Sequence, residues 1–131
     1  MSTGVLGAWT ADGEALHHAG LRARRPSGRS PALRTALSDP HDGGRTVALV
    51  TTDDGSALVY KPRSLAVDAA FARLLGWLAS AAPELLPLRA VRTLDRGTHG
   101  WAEYVRPAPC ADAAALARYY ERAGALLAVA Y

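Results

Sequence analysis

Residues 46–64 read TVALVTTDDGSALVYKPRS, and the fold turns on how this stretch divides. The run 46–52 is β-branched and apolar and predicts a strand. Asp53-Asp54-Gly55 predicts a tight turn, because glycine enters the positive-φ region at no steric cost. Residues 57–61 form the returning strand, with Leu58 and Tyr60 on one face and Val59 and Lys61 on the other. Pro62 has no N–H for a ladder, so the strand ends there. Ser64 stands where it can cap a helix.

Downstream, Val67, Ala70, Phe71, Leu74, Leu78 and Ala81 recur at helical spacing, which predicts a helix over 66–82 with one buried face. Pro83 closes it. A third strand is expected at 88–94, a turn at 95–100 and a fourth strand at 101–106, followed by breaks at Pro107 and Pro109. A second helix over 111–131 carries the stripe Leu116, Tyr119, Tyr120, Ala123, Leu127 and Ala130. Two strands, helix, two strands, helix is an α+β order, an antiparallel sheet with flanking helices.

Upstream, residues 1–37 are rich in Gly, Ala, Arg, Ser and Pro. Only Trp9, Leu16 and Leu21 offer anchors, so this segment reads as a poorly ordered leader, largely loop, with a short helix near 31–37. The ordered part is expected over 38–131.

The chain has 131 residues, half of them apolar, which suits one folded domain. Its net charge of +3 is too small to argue for nucleic acid. The basic cluster Arg22, Arg24, Arg25, Arg29 and Arg34 has no aromatic residues interleaved for base stacking, and reads as a solvated face. Cys110 is the only cysteine, so neither an internal disulfide nor a Cys-pair metal site is available. No secretory signal and no membrane-length apolar run is present, and a cytoplasmic setting is expected.

Lys61 is the first residue with chemical interest. A lysine at a strand end beside a helix start can lay its ammonium over phosphate oxygens, as in kinase-like lobes, where it pairs with a helix carboxylate. Asp68 is the carboxylate available, although complementing the helix dipole is the plainer use for it. Arg63 adds a guanidinium suited to phosphate. The run SDPHDGGR at 38–45 is the second. Gly43 and Gly44 leave backbone N–H groups open to a phosphate. Asp39 and His41 suit acid–base work, but two ligands make no metal site. The plainer alternative is a polar turn. His17, His18 and His99 read as surface residues, and Trp77, Trp101, Tyr119 and Tyr120 as packing. Glu103, on a strand beside Trp101, either is hydrogen-bonded at a cleft or faces solvent.

Five runs in this order resemble the dehydratase domain of class II (LanM-type) lanthipeptide synthetases. They are SDPHDGGRTV at 38–47, LVYKPRSL at 58–65, the FxxLLxWL pattern at 71–78, GWAEYV at 100–105 and YYERAGALLAVAY at 119–131. The resemblance implies a lipid-kinase-like N-lobe, here incomplete. It implies ATP and Mg²⁺ as cofactors, and phosphorylation of Ser and Thr in a precursor peptide followed by phosphate elimination. Lys61 matches the family's nucleotide-phosphate lysine. Asp39 and His41 match residues of the phosphate-facing loop, and Glu103 the inter-lobe strand. The family's catalytic loop and metal-binding acids have no counterpart in the sequence, so the chain reads as a fragment, inactive alone, whose partners are the precursor peptide and the rest of the synthetase. The alternative is a non-catalytic module that binds a nucleotide or a leader peptide.

Overall fold

The computed structural model describes residues 3–23, 30–34, 46–52 and 55–131. It comprises two compact units, the first Met1–Ala70 with Val91–Tyr104 and the second Phe71–Ala90 with Val105–Tyr131.

The first unit opens with two short helices, α1 (Thr3–Ala11) and α2 (Gly13–His18). Strands β1 (Ala32–Arg34), β2 (Ala48–Thr51) and β3 (Ala57–Lys61) follow. The β2–β3 hairpin forms where the Asp-Asp-Gly turn predicts it. Gly55 has φ +80°, and its N–H donates to the Thr52 carbonyl at 3.0 Å. Helix α3 (Ala66–Ala81) starts in this unit and continues into the second. Strands β4 (Thr93–Asp95) and β5 (Gly100–Glu103) complete a five-stranded sheet of order β1-β2-β3-β5-β4, antiparallel throughout. The central strand β3 places Tyr60 opposite Trp101 and Lys61 opposite Gly100.

Alternation on β3 sorts its side chains as the sequence requires. Leu58 and Tyr60 face the core formed by Val50 and Trp101 of the sheet with Val5, Trp9, Leu16 and Leu21 from the N-terminal segment. The Trp101 ring is fully buried, meeting Trp9 and Tyr60 edge-on at centroid distances of 5.8 and 5.1 Å. Such contacts add to the apolar area that these rings remove from water.

The N-terminal segment departs from expectation. Trp9, Leu16 and Leu21 are anchors, but they sit on and just after two helices rather than in a loop, and where a helix is expected near 31–37 residues 32–34 form strand β1, with 35–37 outside the described residues. Small residues around Val5 and Trp9 obscure the helical pattern, and the partner that rewards those side chains is a distant sheet face. Arg22 is 6% exposed, with its guanidinium 4.4 Å from the Trp9 ring centroid. It is therefore part of the packing, not of a solvated basic tract. The expected boundary at 37/38 and residues Arg24, Arg25 and Arg29 lie outside the described residues. The later strands are shorter than the patterning suggests, β4 against 88–94 and β5 against 101–106.

Gly100 has a steric role. Leu65, fully buried, lies against it, and a Cβ there would stand 2.5 Å from Leu65 Cγ and 2.9 Å from the Leu94 carbonyl oxygen. Gly100→Ala is expected to destabilise the first unit by about 1–3 kcal/mol through overpacking, measurable by urea denaturation.

The second unit contains the rest of α3 and helix α4 (Ala113–Ala130). The Asp112 carboxylate caps α4 by accepting the Ala115 N–H at 2.7 Å. The stripe expected to be buried on α3 is not: Val67 is 79% exposed and Leu74 is exposed too, while the helix's one buried residue, Leu75, lies outside that stripe; Trp77 is also exposed. Tyr119 and Tyr120 on α4 are exposed as well, against their expected packing role. Periodicity identifies an apolar face but not the surface that covers it.

Candidate functional site

The site is built where β3 gives way to α3. Lys61, the last residue of β3, is the only lysine in the chain; all other members of its 15 Lys and Arg residues are arginines. Pro62 ends the ladder and turns the chain toward α3. One helical turn then brings Asp68 back to the lysine. Lys61 Nζ lies 3.5 Å from Asp68 Oδ1, and Arg63 Nη1 lies 3.0 Å from Asp68 Oδ2. The Lys61 and Asp68 side chains are each 28% exposed, half-buried but open to solvent. Asp68 thus takes both roles considered for it, lysine partner and first-turn carboxylate of α3.

The electrostatics follow from this geometry. Burial pushes the Asp68 carboxyl up, but the hydrogen bond from Arg63 and the charges of Lys61 and Arg63 outweigh it and hold the group below its ordinary value. Asp68 is therefore a carboxylate near neutrality. Two cations share it, which leaves one positive charge at the strand end unmatched within the cluster. Such an arrangement attracts an anion.

The segment 61–65 is fixed from the β4–β5 turn. Asp95 Oδ1 accepts the Leu65 N–H at 2.8 Å, the Ser64 hydroxyl at 3.1 Å and the Gly97 N–H at 3.3 Å. The Leu65 N–H above all holds the Asp95 carboxyl below its ordinary value. Ser64 does its expected work at the helix start: its Oγ accepts the Ala66 N–H at 3.1 Å. Sequence reading missed Asp95, whose partners lie 30 residues away, and placed it only in a turn.

A second polar cluster was also missed. Asp12, between α1 and α2, is 2% exposed. It accepts the Trp101 indole N–H at 2.8 Å, faces His99 Nε2 at 2.8 Å and pairs with Arg96 Nε at 2.8 Å. Burial pushes its carboxyl up, but these three partners together hold it below the ordinary value. His99 is therefore not the surface residue expected from its turn. His17 is not without a partner either, since its Nδ1 lies 3.2 Å from the Arg22 carbonyl. Glu103 proves to be hydrogen-bonded: its side chain is 10% exposed and pairs with Arg92 Nε at 2.8 Å.

Of the sequence-derived site residues, Lys61 and Arg63 are brought together around Asp68. Asp39, His41, Gly43 and Gly44 lie outside the described residues. Among the described residues no group of three or more His, Cys, Asp and Glu could hold a metal ion, and no helix is long and apolar enough to cross a membrane.

Comparison with known proteins adds two findings. The family model described as "Domain of unknown function (DUF4135)" matches residues 1–131. The chain is also similar to the lacticin 481/lactococcin biosynthesis protein LcnDR2 of Lactococcus lactis subsp. lactis, with 34% identity over 100 residues. That match covers 71% of the chain and 11% of the relative.

Proposed function

The chain belongs to the DUF4135 family, the domain found in LanM-type, class II lanthipeptide synthetases, and on that premise we propose that it forms the nucleotide-phosphate-binding lobe of a kinase-like dehydratase. In this reading the synthetase phosphorylates Ser and Thr of a precursor peptide with ATP. It then eliminates the phosphate to leave dehydroalanine and dehydrobutyrine.

The observation that carries the reading is the Lys61–Asp68 pair at the junction of β3 and α3. Kinase-like lobes hold their phosphate lysine by a carboxylate on the following helix, so that the ammonium is aimed before the nucleotide arrives. ATP, when bound, supplies the phosphoryl group. Lys61 and Arg63 have the chemistry to hold its phosphates, with Asp68 keeping both cations in place. Gly43 and Gly44 are proposed to offer backbone N–H groups to the same phosphates, and Asp39 and His41 to act in the chemical steps. The acids that hold Mg²⁺ are assigned to the rest of the synthetase, which is proposed as the chain's partner along with the precursor peptide.

Because Lys61 is the sole lysine, its occupancy can be read directly. Acylation of Lys61 by an amine reagent, followed by peptide mass spectrometry, is expected to slow about tenfold with ATP at about ten times its Kd, in proportion to the unoccupied fraction. Acylation of the N-terminal amine is the internal control. Equal Lys61 rates with and without saturating ATP would refute the reading.

A further inference from the structure

We infer that Asp95 is a positioning residue for the phosphate lysine, acting from the β4–β5 turn by fixing where α3 begins. The inference rests on the proposed role of Lys61 and adds to it a residue that touches neither Lys61 nor Asp68 in the hydrogen bonds and ion pairs described above.

The argument is geometric. Lys61 and Asp68 belong to different elements joined by the short link 62–65. Their separation of 3.5 Å depends on the position and rotation of the first turn of α3. That turn has two fastenings to the sheet. One is apolar: Leu65, fully buried, seated on Gly100, the residue opposite Lys61 in the β3–β5 ladder. The other is polar: Asp95 Oδ1, which holds the Leu65 N–H at 2.8 Å and the Ser64 hydroxyl at 3.1 Å. The Leu65 carbonyl accepts the first α3 hydrogen bond, from Ala69 at 2.8 Å. Asp95 therefore grips the residue from which the helix springs. Leu65 alone fixes a depth, since an apolar contact is non-directional. The hydrogen bonds fix an angle, and the angle decides whether Asp68 faces Lys61.

Asp95 is itself held from behind. Its Oδ1 accepts the Gly97 N–H at 3.3 Å, and Gly97 has φ +82°, a conformation in which other residues are strained. The turn thus presents its carboxylate in one orientation. Nothing in this geometry requires Asp95 to contact a nucleotide.

The test uses the 131-residue chain without nucleotide and reads the acylation rate of Lys61 at fixed pH. Asp95→Ala removes the acceptor for three donors. It is expected to raise the rate about three- to fivefold as the Lys61–Asp68 pair opens. Asp95→Asn keeps an acceptor oxygen in place and is expected to stay within about twofold of the parent chain. Trp9→Phe, a core change on α1, is expected to lower the unfolding midpoint without speeding acylation, which separates positioning from general loss of stability. A folded Asp95→Ala chain with an unchanged Lys61 rate would overturn the inference. If Asp95→Ala fails to fold, Ser64→Ala substitutes for it: a rise in rate supports the inference and an unchanged rate overturns it. Failure here with intact ATP protection of Lys61 would remove Asp95 alone. Loss of ATP protection in the parent chain would remove the phosphate reading and leave the clasp to be judged on the nucleotide-free rates.

Discussion

Lys61→Met, placed in a synthetase that carries this segment, is expected to lower precursor phosphorylation by roughly 100-fold or more, because one charge-assisted phosphate contact made in the transition state is worth a few kcal/mol. Methionine keeps the length of the stem and removes the charge. The fold should tolerate the change, since Asp68 retains Arg63 at 3.0 Å and a half-exposed ion pair contributes about 1 kcal/mol or less. Dehydration should fall in parallel, because elimination needs the phosphorylated side chain. Lys61→Arg should also lose at least about tenfold, since a planar fork does not replace a compact ammonium at the same reach. The readout is the mass distribution of the precursor after reaction. Near-normal dehydration by the Met variant would refute the assignment of Lys61.

The second large effect concerns stability. Asp12→Ala is expected to destabilise the first unit by about 1–3 kcal/mol, the usual result of leaving a buried donor unsatisfied. The buried Trp101 indole would lose its acceptor, Arg96 its counter-charge and His99 its hydrogen-bond partner. Asp12→Asn keeps an acceptor for Trp101 and should cost less. A pH dependence follows as well. Asp12 has a folded-state pKa depressed below 3.8, so its contribution is present above the unfolded value and fades as pH falls through the folded one. Asp68 and Asp95 are depressed too and act in the same direction. Melting temperature should therefore hold near neutrality and fall below about pH 4, with a shallower acid loss in Asp12→Ala. Equal acid sensitivity in the two chains would show that the Asp12 cluster contributes nothing to it.

The sheet's centre and the site's cations were legible because their signals are local. Residues 46–64 carry a hairpin turn, an alternation, a ladder-ending proline and a helix start within one stretch. Lys61 lies in that stretch, and Asp68 follows in the first turn of the helix it leads into. What escaped reading depends on pairs far apart in the chain. Asp12 and Trp101 are separated by 89 residues, and neither carries a local mark of its partner. The helices α1 and α2 escaped for the same reason: Val5, Trp9 and Leu16 are few among small residues, and only the sheet face they cover accounts for them. The exposed face of α3 shows the opposite error, in which a strong local pattern implies a burial that this chain does not provide.

The strand order β1-β2-β3-β5-β4 also sets a schedule for biogenesis. The β2–β3 hairpin closes over a short turn and can form while the chain is still being made. The other neighbour of β3 arrives only after the whole of α3 has been synthesised. Closing that long loop is an entropic cost that local contacts do not offset, and such non-local pairing is slow. Gly100, Leu65's seat, and Asp95, which grips the start of α3, both come with the late β4–β5 ribbon. A ribosome-bound chain halted before β5 would therefore hold Lys61 at the end of a finished strand with its carboxylate partner unaligned, and the proposed phosphate site would be assembled only once the β4–β5 ribbon has emerged.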